Sequence, residues 1–292
     1  SEKAVGKGRF PSWLHRDLPK GGGLWTTSRA VKGERLHTVC EEAKCPNLTE
    51  CWSKKTATFL VMGKECTRSC GFCEIDFLKS PKPLEADEPA RVSRSVKELG
   101  LKHVVITMVA RDDLLDGGTG HLAEIIRTVR SDNPGVTIEV LTSDFEGSHD
   151  AVKTVLDAQP EIFNHNIESV RSFSPKVRHK ATYDRTLSVL KHANEHGGAK
   201  FVKSGLMVGF GEAKEEVFQT ILDLKSVGCA IITIGQYLQP SRRKLVVKEF
   251  VRPEIFKEYE QFGMENGVKH IYSGPFVRSS YNASQVFEQA NR

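Results

Sequence analysis

Long apolar runs are missing from this chain: nothing approaches the roughly 18–20 residues of a membrane helix, so a membrane protein is not expected. Cysteine is scarce over most of the length, with Cys229 alone in more than 200 residues after Cys73. That distribution, in a chain of 292 residues, argues against the disulfide framework of a small secreted domain. Aromatics make up only 8% of the residues and are not interleaved with basic clusters, so base-stacking nucleic-acid recognition is not expected. The opening stretch SEKAVGKGRFPSWLHRD lacks an uninterrupted apolar segment and mixes acids with bases, unlike a secretory signal or a transit peptide. A cytoplasmic location is the expectation.

Charge of one sign is in short supply after residue 55, where 31 Lys/Arg meet 31 Asp/Glu; residues 1–55 carry 11 against 6. The excess of +5 therefore sits in the N-terminal segment, where it either attracts an acidic partner or simply solvates a face.

What cysteine there is lies concentrated. Cys40, Cys45 and Cys51 fall in CEEAKCPNLTEC, and Cys66, Cys70 and Cys73 in KECTRSCGFCEID. Beyond them, Val- and Ile-rich strand candidates (56–62, 103–109, 136–142, 161–167, 200–208 and 230–238) alternate with helical patterns at 89–100, 119–131, 148–158, 183–196, 213–227 and 253–266. Several helices end near Gly100, Gly197 and Gly228. Strands with few polar alternations suit a parallel sheet covered by helices, doubly wound or barrel. Polar groups gather at strand ends: Arg111, Asp112 and Asp113, then Asn166 and Glu168, Lys203 and Gln236. One functional mouth at the C-terminal ends of barrel strands fits that placement. The expected organisation is an extension over 1–55, a core over 56–238 and a C-terminal extension over 239–292.

Three thiols at C-x3-C-x2-C after a first strand close three corners of a metal site. Structural zinc usually fills four positions, although a histidine or a remote group can complete it. A four-iron cubane held by three cysteines leaves one iron open. Other residues invite blander readings. His165 reads as a hydrogen-bonded structural histidine, Cys229 as a buried apolar residue, and Trp13, Trp25 and Trp52 as packing for the N-terminal wrap.

CTRSCGFC, with Phe72 before its last cysteine, resembles the radical S-adenosylmethionine superfamily. The resemblance implies an α/β fold, a partial (β/α)6 TIM-like barrel with N- and C-terminal extensions. It also implies a [4Fe–4S] cluster on Cys66, Cys70 and Cys73, whose open iron chelates S-adenosylmethionine. Cleavage of that cofactor gives a 5′-deoxyadenosyl radical able to take hydrogen from unactivated carbon. The first triplet, with ARDDLLDGG, FNHNIES, VKSGLMVGFGE, TIGQYLQPS and GPFVRSSYNA, is similar to the lipoyl synthase family along most of the chain. That likeness implies a second [4Fe–4S] cluster on Cys40, Cys45, Cys51 and a serine of Arg278-Ser279-Ser280-Tyr281, with the family pattern favouring Ser280. Arg278 would gate or polarise this ligand. Phe72, Arg111, Asp113, Asn166, Glu168 and Lys203 are the candidate contacts to the cofactor.

The implied reaction inserts two sulfur atoms at C6 and C8 of a protein-bound octanoyl-lysine, with the auxiliary cluster as donor. The implied partners are octanoylated lipoyl carrier domains, namely 2-oxoacid dehydrogenase E2 subunits and glycine cleavage H protein, and a reductant such as ferredoxin or flavodoxin. Another two-cluster radical enzyme, inserting sulfur or transferring methylthio groups, is the alternative.

Overall fold

The computed structural model describes residues 10–15, 23–45, 47–53, 58–280 and 282–291. Thr56 and Ala57 of the first expected strand, part of the basic N-terminal segment and Tyr281 lie outside the described residues.

Among the described residues seven parallel strands form the body: β1 (Thr58–Val61), β2 (His103–Met108), β3 (Thr137–Leu141), β4 (Ile162–Asn164), β5 (Phe201–Val208), β6 (Ile231–Gln236) and β7 (His270–Gly274). They are hydrogen-bonded in chain order, and His37–Thr38 adds an antiparallel edge beside β1. Among the described residues the two ends of this sheet do not pair with each other, so the barrel is partial. The expected sixfold repeat gains a seventh strand from the C-terminal extension, and the N-terminal extension supplies the antiparallel edge.

Helices α1 (Glu88–Leu99), α2 (Thr119–Asp132), α3 (His149–Leu156), α4 (Tyr183–His196), α5 (Lys214–Ser226) and α6 (Pro253–Glu265) follow the first six strands. Their apolar faces join the outward residues of the strands in one main core, with Val92, Ile125, Val152, Val189, Ile221 and Phe256 buried. Local signals set their limits. Gly100 ends α1 at φ 63°, a left-handed conformation that glycine adopts without Cβ strain. Thr182 and Ser148 cap α4 and α3 by accepting backbone N–H groups.

The barrel interior is layered. At its base, Phe287 of α7 (Ala283–Ala290) packs with Ile162, Ile231 and Phe201, and its ring lies 5.6 Å from that of His103. Above this sits a buried polar layer in which Lys203 Nζ and Asn164 Nδ2 both donate to Glu139 Oε1, each at 2.9 Å. The next layer, around Gly205, Thr233 and Asn166, reaches the cavity described below.

Candidate active site

The second cysteine triplet leaves β1 on a short loop held from several sides. Cys66 lies on the two-residue strand Glu65–Cys66, and its Sγ accepts N–H groups from Arg68 at 3.4 Å and Ala110 at 3.3 Å. Gly71 donates its N–H to Val177 O, and its carbonyl accepts from Leu245 N, both at 3.0 Å. A Cβ at Gly71 would stand 2.7 Å from Lys176 O, so this close approach requires glycine. Arg68, between the first two cysteines, donates to both carboxylate oxygens of Asp112 and once to Asp144. These charge-assisted bonds fix the loop against the ends of β2 and β3.

The first triplet is folded just as tightly. Thr38 caps the helix Val39–Glu42 that carries Cys40, Cys45 N donates to Cys40 O at 3.0 Å, and Cys51 lies on the helix Leu48–Ser53. Two contacts bring this triplet to other parts of the site. Lys44 Nζ donates to Glu74 Oε1 at 2.9 Å, beside Cys73, and Asn47 Nδ2 donates to Phe276 O at 2.8 Å, just ahead of the arginine–serine stretch.

A cavity of about 470 Å³ opens at the C-terminal ends of the strands, within the roughly 300–1,000 Å³ of small-molecule sites. One cysteine from each triplet lines it, Cys45 and Cys73, with Phe72, Asn166, Glu168, Arg278, Ser279 and Ser280. Leu141, Met207, Tyr237, Leu238 and Val277 supply apolar wall. The chain after β7 enters the barrel mouth because two interior positions are glycine. A Cβ at Gly235 would overlap Val277 O, and one at Gly205 would stand 2.9 Å from Ser279 Oγ.

The two serines differ. Ser279 Oγ donates to Asn166 Oδ1 at 2.7 Å. Ser280 makes no hydrogen bond through its hydroxyl among the described residues.

Electrostatics separate the candidate residues further. Glu168, held at φ 67°, has its pKa raised by burial, against the lowering pull of Arg178 and an Asn166 hydrogen bond. Arg178 is buried, and its guanidinium donates to Asn166 O, Ala181 O and Thr186 Oγ1. Burial pushes the Cys70 thiol up to about 11, Cys73 to about 12 and Cys40 to about 11. These three thiols are thus protonated at neutral pH, and metal binding there must release protons.

Other expected contacts are not brought to the cavity. Lys203 is fully buried in the polar layer beneath it, spent on Glu139. Arg111 is buried and forked onto Asp113 at 2.9 and 2.8 Å, with a further bond to Met62 O. In both cases the strand-end position was legible, but the side-chain partner depends on a neighbouring strand or loop. His165 is structural: its Nδ1–H donates to Thr142 O at 2.8 Å and its Nε2 meets Thr186 Oγ1 at 3.3 Å, and Cys229 is buried. Of the tryptophans, Trp52 is buried but Trp25 is 67% exposed with Arg29 over its ring, so it does not pack the wrap onto the barrel. Sequence reading missed Arg178, which no local pattern marks, and Gly205 and Gly235. It also gave no role to Arg68, whose place inside CTRSCGFC was the available signal.

The donor set fits iron–sulfur clusters: two groups of three thiols, one sulfur already receiving two N–H groups, and a hydroxyl oxygen facing the same cavity. Among the described residues no three Cys, His, Asp or Glu side chains converge on a single-ion site.

A parallel partial barrel with a three-cysteine loop after its first strand defines a radical S-adenosylmethionine protein, and residues 60–224 match the Radical SAM superfamily. The fold is shared with the [FeFe]-hydrogenase maturase HydG from Carboxydothermus hydrogenoformans, at TM-score 0.55 and 15% identity over 79% of this chain and 65% of that one. Much greater similarity links the chain to lipoyl synthase of Protochlamydia amoebophila, 67% identical over 99% of this chain and 90% of the relative. Lipoyl synthase of Chlamydia muridarum is 54% identical over 96% of this chain and 91% of its own. The chain belongs to the lipoyl synthase family.

Proposed function

We propose that this enzyme inserts sulfur at C6 and C8 of an octanoyl group on a lysine of a lipoyl carrier domain, within the cavity shared by the two triplets. The observation that carries the proposal is that Cys45, Cys73 and Ser280 line one apolar-walled space. Radical formation and sulfur delivery are thereby confined to one chamber. Cys66, Cys70 and Cys73 would hold one [4Fe–4S] cluster, and Cys40, Cys45, Cys51 and Ser280 the second, sacrificed as the sulfur source. With S-adenosylmethionine bound, the first cluster supplies the one-electron chemistry that generates a hydrogen-abstracting carbon radical.

The chain's own residues bind, orient and exclude water. Phe72 and the wall of Leu141, Met207 and Val277 keep the chamber apolar, which protects a radical from solvent. Asn166 and Glu168 present polar groups to a cofactor's amine and ribose. The hydrogen bond from Ser279 to Asn166 supports Ser280 as the hydroxyl that would bind iron. Arg278 also lines the cavity and would gate this oxygen. Oxygen is a weaker ligand for iron than thiolate, as a cluster that must be dismantled requires. The partners we assign are octanoylated E2 domains and glycine cleavage H protein, with ferredoxin or flavodoxin as reductant, in the cytoplasm. No helix among the described residues is long and apolar enough to cross a membrane.

The test is anaerobic incubation of reduced, cluster-loaded enzyme with S-adenosylmethionine and an octanoyl-lysyl peptide, reading a mass gain of two sulfurs for the dithiol product, and two hydrogens less once it is oxidised to the cyclic disulfide. Cys70→Ala should abolish cofactor cleavage, whereas Cys45→Ala should keep cleavage and lose sulfur insertion. Lipoyl product from Cys45→Ala would refute the donor role.

A further inference from the structure

Residues 239–250, QPSRRKLVVKEF, hold four cations and one acid. The backbone of this loop is fastened along its length. Gln239 Nε2 donates to Lys244 O at 2.8 Å, Tyr237 OH to Leu245 O at 2.8 Å, and Lys248 N to Gly209 O at 2.8 Å. Ser241 Oγ donates to Glu74 Oε2 at 2.8 Å, and Leu245 N to Gly71 O at 3.0 Å, so the loop is tied directly to the second cysteine triplet.

Three of its side chains are treated differently from the backbone. Arg242, Arg243 and Lys248 are exposed, and among the described residues no carboxylate stands within ion-pair distance of them. Elsewhere on the surface, cations such as Arg94, Arg130 and Lys214 have found acids. Like charges held on a fastened loop repel one another, a cost that an anionic partner would relieve.

Location specifies the partner. Leu238, Gln239 and Pro240, which lead into this loop, line the cavity, so the cations stand at its rim. Apolar surface is exposed there as well, with Val246 58% and Phe10 54% accessible, the latter lining the cavity and packed edge-on to Phe250 at 5.7 Å. A reductant has no need to insert anything into the chamber. A carrier domain does: its acylated lysine arm is short, so the body of the domain must rest on the rim while the acyl chain is inside.

We propose that loop 240–248 is the docking surface for the carrier domain, with Arg242, Arg243 and Lys248 facing an acidic surface around the acylated lysine. The proposal rests on the sulfur-insertion reading above and deepens it by naming what recognises the protein part of the substrate. Rim charges of this kind act on encounter rate and salt dependence rather than on chemistry.

The experiment uses the full chain with both clusters, reduced with dithionite, and compares R242E/R243E with the parent on two substrates: an octanoylated carrier domain and a short octanoyl-lysyl peptide. The charge reversal should raise KM for the domain about tenfold, leave peptide turnover unmoved, and remove the salt dependence of KM that the parent shows with the domain. Equal KM values for the domain, with the peptide still converted, would overturn the proposal. So would an unchanged dithionite-driven KM accompanied by a loss of flavodoxin-driven turnover, which would assign the loop to the reductant. Failure of the parent to add sulfur to either substrate would instead overturn the functional reading on which the proposal stands.

Discussion

Glu139 and Lys203 are both inaccessible to solvent and meet at 2.9 Å inside the barrel, with His103 Nε2 3.6 Å from the other carboxylate oxygen. Burial raises the Glu139 pKa, but Lys203 and His103 outweigh it and hold the carboxyl at about 2, below its ordinary 4.5. His165 is held at about 4, below 6.5, chiefly by burial and by Arg178. In both cases the unfolded chain binds the proton first on acidification. Stability contributed by His165 is complete above pH 6.5 and lost as pH falls towards 4; that of Glu139 is lost from 4.5 down to about 2. Urea midpoints of the cluster-free protein should therefore fall in two stages as the buffer is acidified, with H165N flattening the upper stage. Lys203→Met, which strands a buried carboxylate, should destabilise by about 3–5 kcal/mol. The serines make a second residue-scale contrast. Ser279→Ala removes one hydrogen bond, worth about 1 kcal/mol, and should lower sulfur insertion only partly. Ser280→Ala should keep cofactor cleavage and abolish insertion, with altered Mössbauer parameters at one iron of the auxiliary cluster. Equal effects of the two would mean that Asn166 does not divide their roles.

At the scale of elements, the segment after β7 depends on what β5 and β6 omit. Gly235→Ala places a methyl group on Val277 O, and that carbonyl belongs to a segment anchored by the Asn47–Phe276 bond at one end and by α7 at the other. The barrel itself has no such conflict. The expected result is a folded, cofactor-cleaving protein whose iron content falls by about one four-iron cluster, measured by iron analysis after anaerobic reconstitution. The sequence made these strands legible through runs of Val and Ile, and their glycines stood in plain view. Their purpose was not, because a glycine inside a strand announces a close approach without saying to what.

For the whole molecule, residues from the barrel and from the segments before and after it line one cavity, and the auxiliary cluster is the proposed joint. In that proposal the N-terminal triplet would supply three ligands and the C-terminal segment one. Removing that cluster with a chelator should therefore expose residues 275–291 to protease before the barrel is cut, while reconstitution restores protection. Peptide mapping over a digestion time course measures the order of cleavage. Simultaneous loss of both regions would mean that α7 is held by packing around Phe287 alone.

The sequence by itself determined the parallel α/β architecture, the two cysteine triplets and the family, because helical and strand periodicity and cysteine spacing are local properties of the chain. Cys66, Cys70 and Cys73 could be assigned together since eight residues of loop keep them close whatever surrounds them. Only the tertiary structure decided which strand-end polar groups face the cavity. Lys203 and Asn166 are equally plausible along the chain, yet one is drawn down to Glu139 and the other reaches Ser279. Partners of a buried charge come from neighbouring strands whose register the local pattern does not contain, and the distant serines reach the cavity only because two glycines leave that segment room.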